Sequence, residues 1–380
     1  MYRIRRSKSI RLVRPINKFD TMNYHVLDSM EDLVRISSIE GRTIFENIAM
    51  KNAIKTGILR NRPELLDERL VTPLAEVEGS FSKGYKREVT FNEETFSIKI
   101  SPVNDDEGRL LGYVEVFRNV TQDNYIKNEL MRMSKKTFQD ISLARNIQKA
   151  ILPSINDFKN LHFQYCHEAS EQLSGDIFDI IPIDDDRVGL YMADVVGHGI
   201  SASIMTMFIR QTMRNILSRY KDMGPSETIM KLKKRFAGLK LEVSQYFTII
   251  YMIVDTKKEE MTYVNAGHSA RPIMFNDKQF AYLSNRGRFI SNIFPDLEFE
   301  EISLKMKAGD RYLFYTDGVH ETKNVHGEEF GDQAMKRWIL KNRQLDNFVD
   351  ELMKAINSYR WLEQKDDVTL LYMEIGEKND

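Results

Sequence analysis

The chain of 380 residues contains one cysteine, Cys166, so it has no internal disulfide and offers no thiol cluster for zinc. It carries almost no net charge. Its 55 Lys and Arg against 56 Asp and Glu leave −1, and no global field recommends nucleic acid or an anionic membrane. It also lacks any apolar run near the roughly 20 residues that cross a bilayer. The basic start, Met1-Tyr2-Arg3-Ile4-Arg5-Arg6-Ser7-Lys8, is not followed by an apolar stretch. That argues against a secretory signal and for a short solvated arm over residues 1–21. Together these absences point to the reducing, Mg²⁺-rich cytoplasm. What is present is ordinary for a soluble chain: 42% hydrophobic residues, 29% charged, and a length that favours two or three domains.

Residues 22–122 read as a small α+β unit. The patterning predicts a short amphipathic helix over 26–30, a strand over 33–37, a turn at Glu40-Gly41 and a helix over 48–58. Strands follow over 86–90, 95–103 and 110–120, the last two joined by the turn Asn104-Asp105-Asp106-Glu107-Gly108. Residues 123–153 change character. No Gly or Pro occurs until Pro153, and Ile126, Leu130, Met133, Ile141, Ala144 and Ile151 recur three and four apart. This is the pattern of an amphipathic or coiled-coil helix, ended by Pro153 and suited to contacts with a second copy.

Residues 154–380 alternate hairpins with pairs of helices. Strands are expected over 162–169, 177–183, 187–193, 246–255, 260–265, 311–316 and 368–375. Helices are expected over 200–220, 226–241, 332–340 and 345–359. Such an order predicts antiparallel sheets covered by helices, not a doubly wound parallel sheet.

Four motifs in this region place an Asp beside Gly or at a strand end. They are Ser174-Gly175-Asp176, Ala193-Asp194-Val195-Val196-Gly197-His198-Gly199, Tyr315-Thr316-Asp317-Gly318 and Asp366-Asp367-Val368-Thr369. Hard divalent cations take oxygen ligands, and glycine lets backbone carbonyls and a phosphate approach closely. A single Asp-Gly pair is ordinarily a turn, and Asp184-Asp185-Asp186 reads as a solvated hairpin tip. Spacing alone therefore leaves two readings open, a metal-binding edge or a set of acidic turns.

The motifs resemble those of the metal-dependent PPM phosphatases, and specifically the bacterial SpoIIE-like branch. The resemblance runs from Ala144 to the end. It takes in Gln148, Leu152-Pro153, Asn265-Ala266-Gly267-His268, Glu321, Gly327 and Phe330-Gly331 besides the four motifs. It implies antiparallel sheets sandwiched between helices and a centre of two Mn²⁺ or Mg²⁺ ions. Asp194 would bridge both ions and the carbonyl of Val195 would bind one. Asp317 and Asp366 would hold the other, and Asp176 would act directly or through water. Asp367 would be structural, and His198 and His268 would serve the loops. Catalysis would be direct attack of an activated water on phosphorus, with Asp194 and Asp317 acting through the ions. The implied substrate is a phosphorylated STAS-domain antagonist of an anti-sigma-factor kinase. This branch lacks the phosphate-gripping arginine of the eukaryotic relatives.

Residues 22–122 resemble a PAS sensor domain in their order of elements. Ile44-Phe45-Glu46-Asn47 and the run from Gly112 to Thr121 carry that likeness. No cysteine stands there for a flavin adduct, and His25, the only histidine before the linker, comes too early for a haem ligand. The resulting expectation is a PAS-like sensor, a helical linker that pairs two copies, and a serine/threonine phosphoprotein phosphatase. Two competing readings are a catalytically inactive signalling scaffold, which keeping an Asp in all four motifs opposes, and a small-molecule phosphomonoesterase.

Overall fold

The computed structural model describes residues 25–40, 42–56, 85–91, 94–283, 287–294 and 297–377. The expected arm over 1–21, Gly41 and the end of the helix predicted over 48–58 lie outside these residues. The chain forms two compact units, Met1–Lys135 and Lys136–Asp380.

In the first unit, a helical turn at 25–28 precedes β1 (Leu33–Ser38), β2 (Thr43–Glu46), α1 (Ile48–Lys55), β3 (Tyr85–Phe91), β4 (Glu94–Asn104) and β5 (Leu110–Asn119). The five strands make one antiparallel sheet in the order β2-β1-β5-β4-β3. Side chains alternate between faces along a strand. Phe96, Ile98 and Ile100 of β4 therefore share a face, and they pack with Tyr113 and Phe117 of β5 and with Met50 and Ala53 of α1. One charged pair interrupts this face. Arg35 lies opposite Glu115 across β1 and β5, with Nη2 to Oε2 at 2.5 Å and both side chains buried. Burial raises the Glu115 carboxyl's pKa, while Arg35 and Ser37 act to lower it.

Asn47 joins the pieces of this unit. Its side chain caps α1 by accepting from the Met50 N–H, and it also accepts from the Val34 N–H. Its amide donates to the carbonyls of Leu27 and Asp32. The residue has no exposed surface.

Helix α2 (Thr121–Ala150) starts two residues earlier than the linker expected from residue 123. The cause is Asn119, whose side-chain oxygen accepts from both the N–H and the hydroxyl of Thr121 and so starts the helix there.

The second unit is a sandwich. Its strands are β6 (Asp157–Phe158), β7 (Leu161–Glu168), β8 (Asp176–Pro182), β9 (Arg187–Val195), β10 (Tyr246–Asp255), β11 (Glu260–Ala266), β12 (Ile273–Phe275), β13 (Phe280–Tyr282), β14 (Ile290–Ser291), β15 (Ile302–Lys305), β16 (Arg311–Tyr315) and β17 (Val368–Ile375). Its helices after α2 are α3 (Ile200–Arg219), α4 (Pro225–Ala237), α5 (Asp317–His320), α6 (Gly331–Asn342) and α7 (Phe348–Tyr359). One sheet runs β15-β11-β10-β9-β8, with β14 paired to β10, and the other runs β13-β12-β16-β17-β7-β6. All pairings are antiparallel.

Three apolar layers hold the sandwich together. The inner faces meet through Phe178, Leu190, Met192, Ile250, Tyr312, Phe314, Leu371 and Met373. The outer face of the first sheet packs on α3 and α4 through residues such as Tyr191, Tyr251, Ile209, Leu232 and Phe236. The outer face of the second packs on α6 and α7 through Phe275, Leu313, Tyr372, Ile339 and Phe348. Continuous apolar runs such as 246–254 arise because these strands are covered on both faces. The antiparallel sheets and covering helices expected from the sequence are present. The patterning had not identified β6, β12, β13, β14, β15 or α5, which are two to four residues long.

Asn47→Ala should lower the stability of the first unit by about 2–4 kcal/mol, because it orphans buried N–H and carbonyl groups together. Denaturant unfolding of the chain measures this. A loss below about 1 kcal/mol would mean that water takes over those bonds.

Candidate active site

Alternation along the strands delivers the acidic residues to one end of the inter-sheet space. On β8, Phe178 and Ile180 face the inner core, and so does Asp176. On β9, Val188, Leu190 and Met192 face it, and so does Asp194. Asp176 and Asp194 are direct cross-strand partners. Like charges in that position repel. From the other sheet, Thr369 continues the inner face of β17, and its hydroxyl donates to Asp176 Oδ2 at 2.7 Å. Asp317 follows β16 as the first residue of α5, and Asp366 and Asp367 precede β17.

The electrostatics reflect this crowding. Burial, followed by the charges of Asp194 and Asp367, holds the Asp176 carboxyl well above the usual carboxylate range, against hydrogen bonds from Thr369 and Thr316. Burial pushes Asp194 up to about 7, with Asp317, Asp366 and Asp367 adding to the effect. Burial raises Asp366 to about 6; the Asp367 N–H opposes this, and Asp317, Asp367 and Glu321 reinforce it. The groups acting on these three carboxyls are other carboxylates, hydroxyls and a backbone N–H. None is a cation.

Asp367 has a different task. Its Oδ1 accepts from the N–H and hydroxyl of Ser170 at 2.7 and 3.0 Å. Its Oδ2 accepts from the Ser174 hydroxyl and the Gly175 N–H, both at 2.7 Å. One carboxylate thus fixes the loop that leads into Asp176. Gln148, near the end of α2, grips the same loop by donating to the Ser174 carbonyl at 2.8 Å and accepting from its N–H at 3.0 Å.

Two glycines set close approaches. A Cβ on Gly318 would collide with the carbonyl of Asp367, so this glycine lets the Asp317 and Asp366 motifs meet. A Cβ on Gly175 would lie 3.0 Å from the carbonyl oxygen of Val195 and 3.1 Å from that of Gly197. Those two carbonyls therefore converge on the space that glycine leaves beside Asp176.

The histidines divide. His268 is buried and its Nε2 lies 2.9 Å from the Tyr315 carbonyl, which can only accept, so Nε2 carries the proton. Burial lowers its pKa, which favours the neutral ring. With Asn265, which bonds the His268 N–H and carbonyl, it fixes the end of β16 just before Asp317. Ser269 adds a hydroxyl 3.1 Å from Asp317 Oδ2. His198 is exposed and lies 3.1 Å from Glu171, between two loops at the rim. Cys166 is half-buried on β7, and burial pushes its thiol up to about 11.

Sequence reading picked out Ser174, Asp367 and Gln148 but missed that Asp367 binds Ser170 and Ser174 while Gln148 binds Ser174, because nothing local in the sequence shows which distant residues meet. It also took Asp184 for a merely solvated residue. Asp184 instead accepts from Arg187 at 2.7 Å and from two backbone N–H groups, so it staples its turn.

Oxygen donors, surplus negative charge and glycine-opened carbonyls fit a hard divalent cation. Among the described residues, no three carboxylate, imidazole or thiol groups are gathered into a single metal-clasping cluster.

The fold is that of PP2C-type phosphatase domains. The SiaA-PP2C domain of Pseudomonas aeruginosa matches with a TM-score of 0.57 at 19% identity, over 64% of this chain and 98% of that one. The PP2C phosphatase domain of SpoIIE from Bacillus subtilis, with a fragment of its regulatory domain, matches at 0.50 and 15% identity, over 86% and 92%. The chain belongs to the family described as Stage II sporulation protein E (SpoIIE), which it matches over residues 184–376, just over half its length. It is also similar to the phosphoserine phosphatase RsbP of Bacillus subtilis (strain 168), 33% identical over 189 residues. That match covers 48% of this chain and 45% of RsbP, so it spans less than half of that protein.

Without divalent ions, Asp194→Asn should raise the thermal midpoint of the second unit by a few degrees, since it removes a buried charge repelled by its neighbours. Differential scanning calorimetry in chelator checks this. An unchanged or lowered midpoint would mean that the carboxylates are not in conflict.

Proposed function

We propose that the second unit is a phosphoprotein phosphatase acting on phosphoserine or phosphothreonine, with two Mn²⁺ or Mg²⁺ ions at the acidic edge. The observation that carries this reading is the opposition of Asp176 and Asp194 beside Asp317 and Asp366, with no basic group among the described residues set against them. Asp194 would bridge the two ions, the Val195 carbonyl would bind one, and Asp317 and Asp366 would hold the other. Asp176 would act directly or through water, kept in place by Thr369. When bound, the ions would supply positive charge for the phosphoryl oxygens and acidify a water. Neutral His268 and the Asp367 hub position the ligands and are not ligands themselves.

RsbP's description as a phosphoserine phosphatase supports the choice of phosphoserine. The resemblance to the SpoIIE-like branch supports a STAS-domain protein as substrate. Asp194→Asn and Asp317→Asn should each abolish Mn²⁺-dependent release of phosphate from a phosphorylated STAS-domain protein while the circular dichroism spectrum stays unchanged. Asp185→Asn, at an exposed position, is the control; Asp184 is unsuitable because it holds its turn. Wild-type activity in Asp317→Asn would sink the metal assignment.

The same reading makes residues 22–122 a PAS-like sensor and α2 its output in a dimer. Support comes from the five-stranded antiparallel sheet and from the apolar side chains α2 leaves exposed, among them Ile126, Leu130 and Met133. Ile141 is only half-buried, and Ile151 packs on the second unit's core. Four residues inserted after Lys135 turn the ends of a helix by roughly 40° relative to each other, whereas seven nearly restore the phase. The four-residue insertion should change basal phosphatase activity clearly and the seven-residue insertion much less. Equal activity in both would make α2 a passive tether.

A further inference from the structure

Beside the acidic edge lies an open groove of about 440 Å³ between the loop after α5 and the loop joining α7 to β17. Gly318 and Asp366 belong both to this groove and to the edge. Its lining includes Val325 from the first loop and Trp361 and Leu362 from the second, which are 55%, 65% and 65% exposed. Exposed apolar side chains gathered at one place mark interaction sites more often than single ones do. Tryptophan is also among the side chains that contribute most at protein interfaces.

These side chains do not hang from slack loops. The Trp361 N–H donates to the Lys323 carbonyl at 3.1 Å, which ties one loop to the other. Asn324 accepts from the N–H groups of His326 and Glu328 and donates to the Tyr359 hydroxyl. That hydroxyl lies 3.2 Å from the carbonyls of Glu328 and Glu329. The backbone is thus pinned while the apolar surface faces outward. Arg360, also lining the groove, has Nε and one terminal nitrogen buried with no acceptor among the described residues. An arriving acceptor would satisfy a buried donor that is otherwise orphaned. The groove's charges balance, with Glu321, Glu363 and Asp366 against Lys323, Arg360 and Lys365. Recognition there is therefore apolar contact plus a hydrogen bond, not attraction between opposite fields.

We propose that this groove docks the phosphoprotein substrate: the segment next to its phosphorylated residue lays an apolar side chain on Trp361 and Leu362. The inference rests on the phosphatase reading and adds a specificity surface to it. The shared position of Gly318 and Asp366 supplies the geometry. A phosphoryl group delivered to the edge brings its flanking chain across the groove, whereas a small aryl phosphate reaches the edge without touching it.

The test is steady-state kinetics of the full chain with Mn²⁺ on two substrates, a phosphorylated STAS-domain protein and p-nitrophenyl phosphate. The double variant Trp361→Ala/Leu362→Ala should lose at least about tenfold in kcat/KM on the phosphoprotein, chiefly through KM, as for the loss of one interface anchor. It should retain wild-type turnover of p-nitrophenyl phosphate. Equal loss on both substrates would mean that the variant damages the site, and unchanged phosphoprotein kinetics would mean that nothing docks there; either overturns the inference. A wild-type chain inert toward both substrates would overturn the phosphatase reading itself, and this inference with it.

Discussion

Asp176 and Asp194 face each other across β8 and β9 inside a sandwich whose other inner positions are almost all apolar. A buried carboxylate pair is unfavourable unless protonated, hydrogen-bonded or matched by a cation. The same strand shows how a protein resolves such a problem when charge itself is not needed. Three residues on, and on the opposite face of β8, Asp179 is completely buried and forms a two-point pair with Arg214 on α3, at 2.7 and 2.9 Å. That pair is neutral and fastens the helix that follows the Asp194 motif. At Asp176 the partner is instead a threonine hydroxyl, which satisfies a lone pair and brings no positive charge. The two faces of one strand thus carry a carboxylate that fastens and a carboxylate kept available.

Keeping the charge available requires that its geometry be held by other means, and the means are uncharged or already committed. Asp367 gives both oxygens to Ser170, Ser174 and Gly175. His268, neutral, anchors the Tyr315 carbonyl ahead of Asp317. Gly318 admits the Asp367 backbone where any side chain would collide. Each device positions a ligand candidate without adding positive charge near it. The apolar layers on either side provide the stability that lets this end remain strained.

Much of this was legible in the sequence. The long strands were readable because β8, β9, β10 and β17 are apolar on both faces, and the four motifs stood out because Asp beside Gly at a strand end is locally visible. The sequence could not reveal that Asp176 and Asp194 are directly opposed, since that depends on the β8–β9 register. Nor could it reveal the Asp367 hub, whose partners become neighbours only when β17 pairs with β7. The short strands between residues 273 and 305 escaped because two to four residues carry no period. Asp184 was misjudged for the reverse reason: an acidic run looks solvated until Arg187 is seen folding back on it.

The contact between α2 and the acidic edge sets a scale for any signal carried along that helix. Gln148 makes two amide-type bonds to Ser174, at 2.8 and 3.0 Å, and reaches Thr206 of α3 at 3.3 Å. Each neutral hydrogen bond contributes about 0.5–1.5 kcal/mol net. Releasing the pair to Ser174 would therefore free the loop before Asp176 by about 1–3 kcal/mol, the usual range of coupling between distant sites. A shift of α2 acting through this contact alone would change occupancy of the competent loop by roughly 5- to 150-fold. Asp367 holds the other side of the same loop through Ser170, Ser174 and Gly175. The loop is thus gripped twice, by Asp367 just before β17 and by Gln148 near the end of α2.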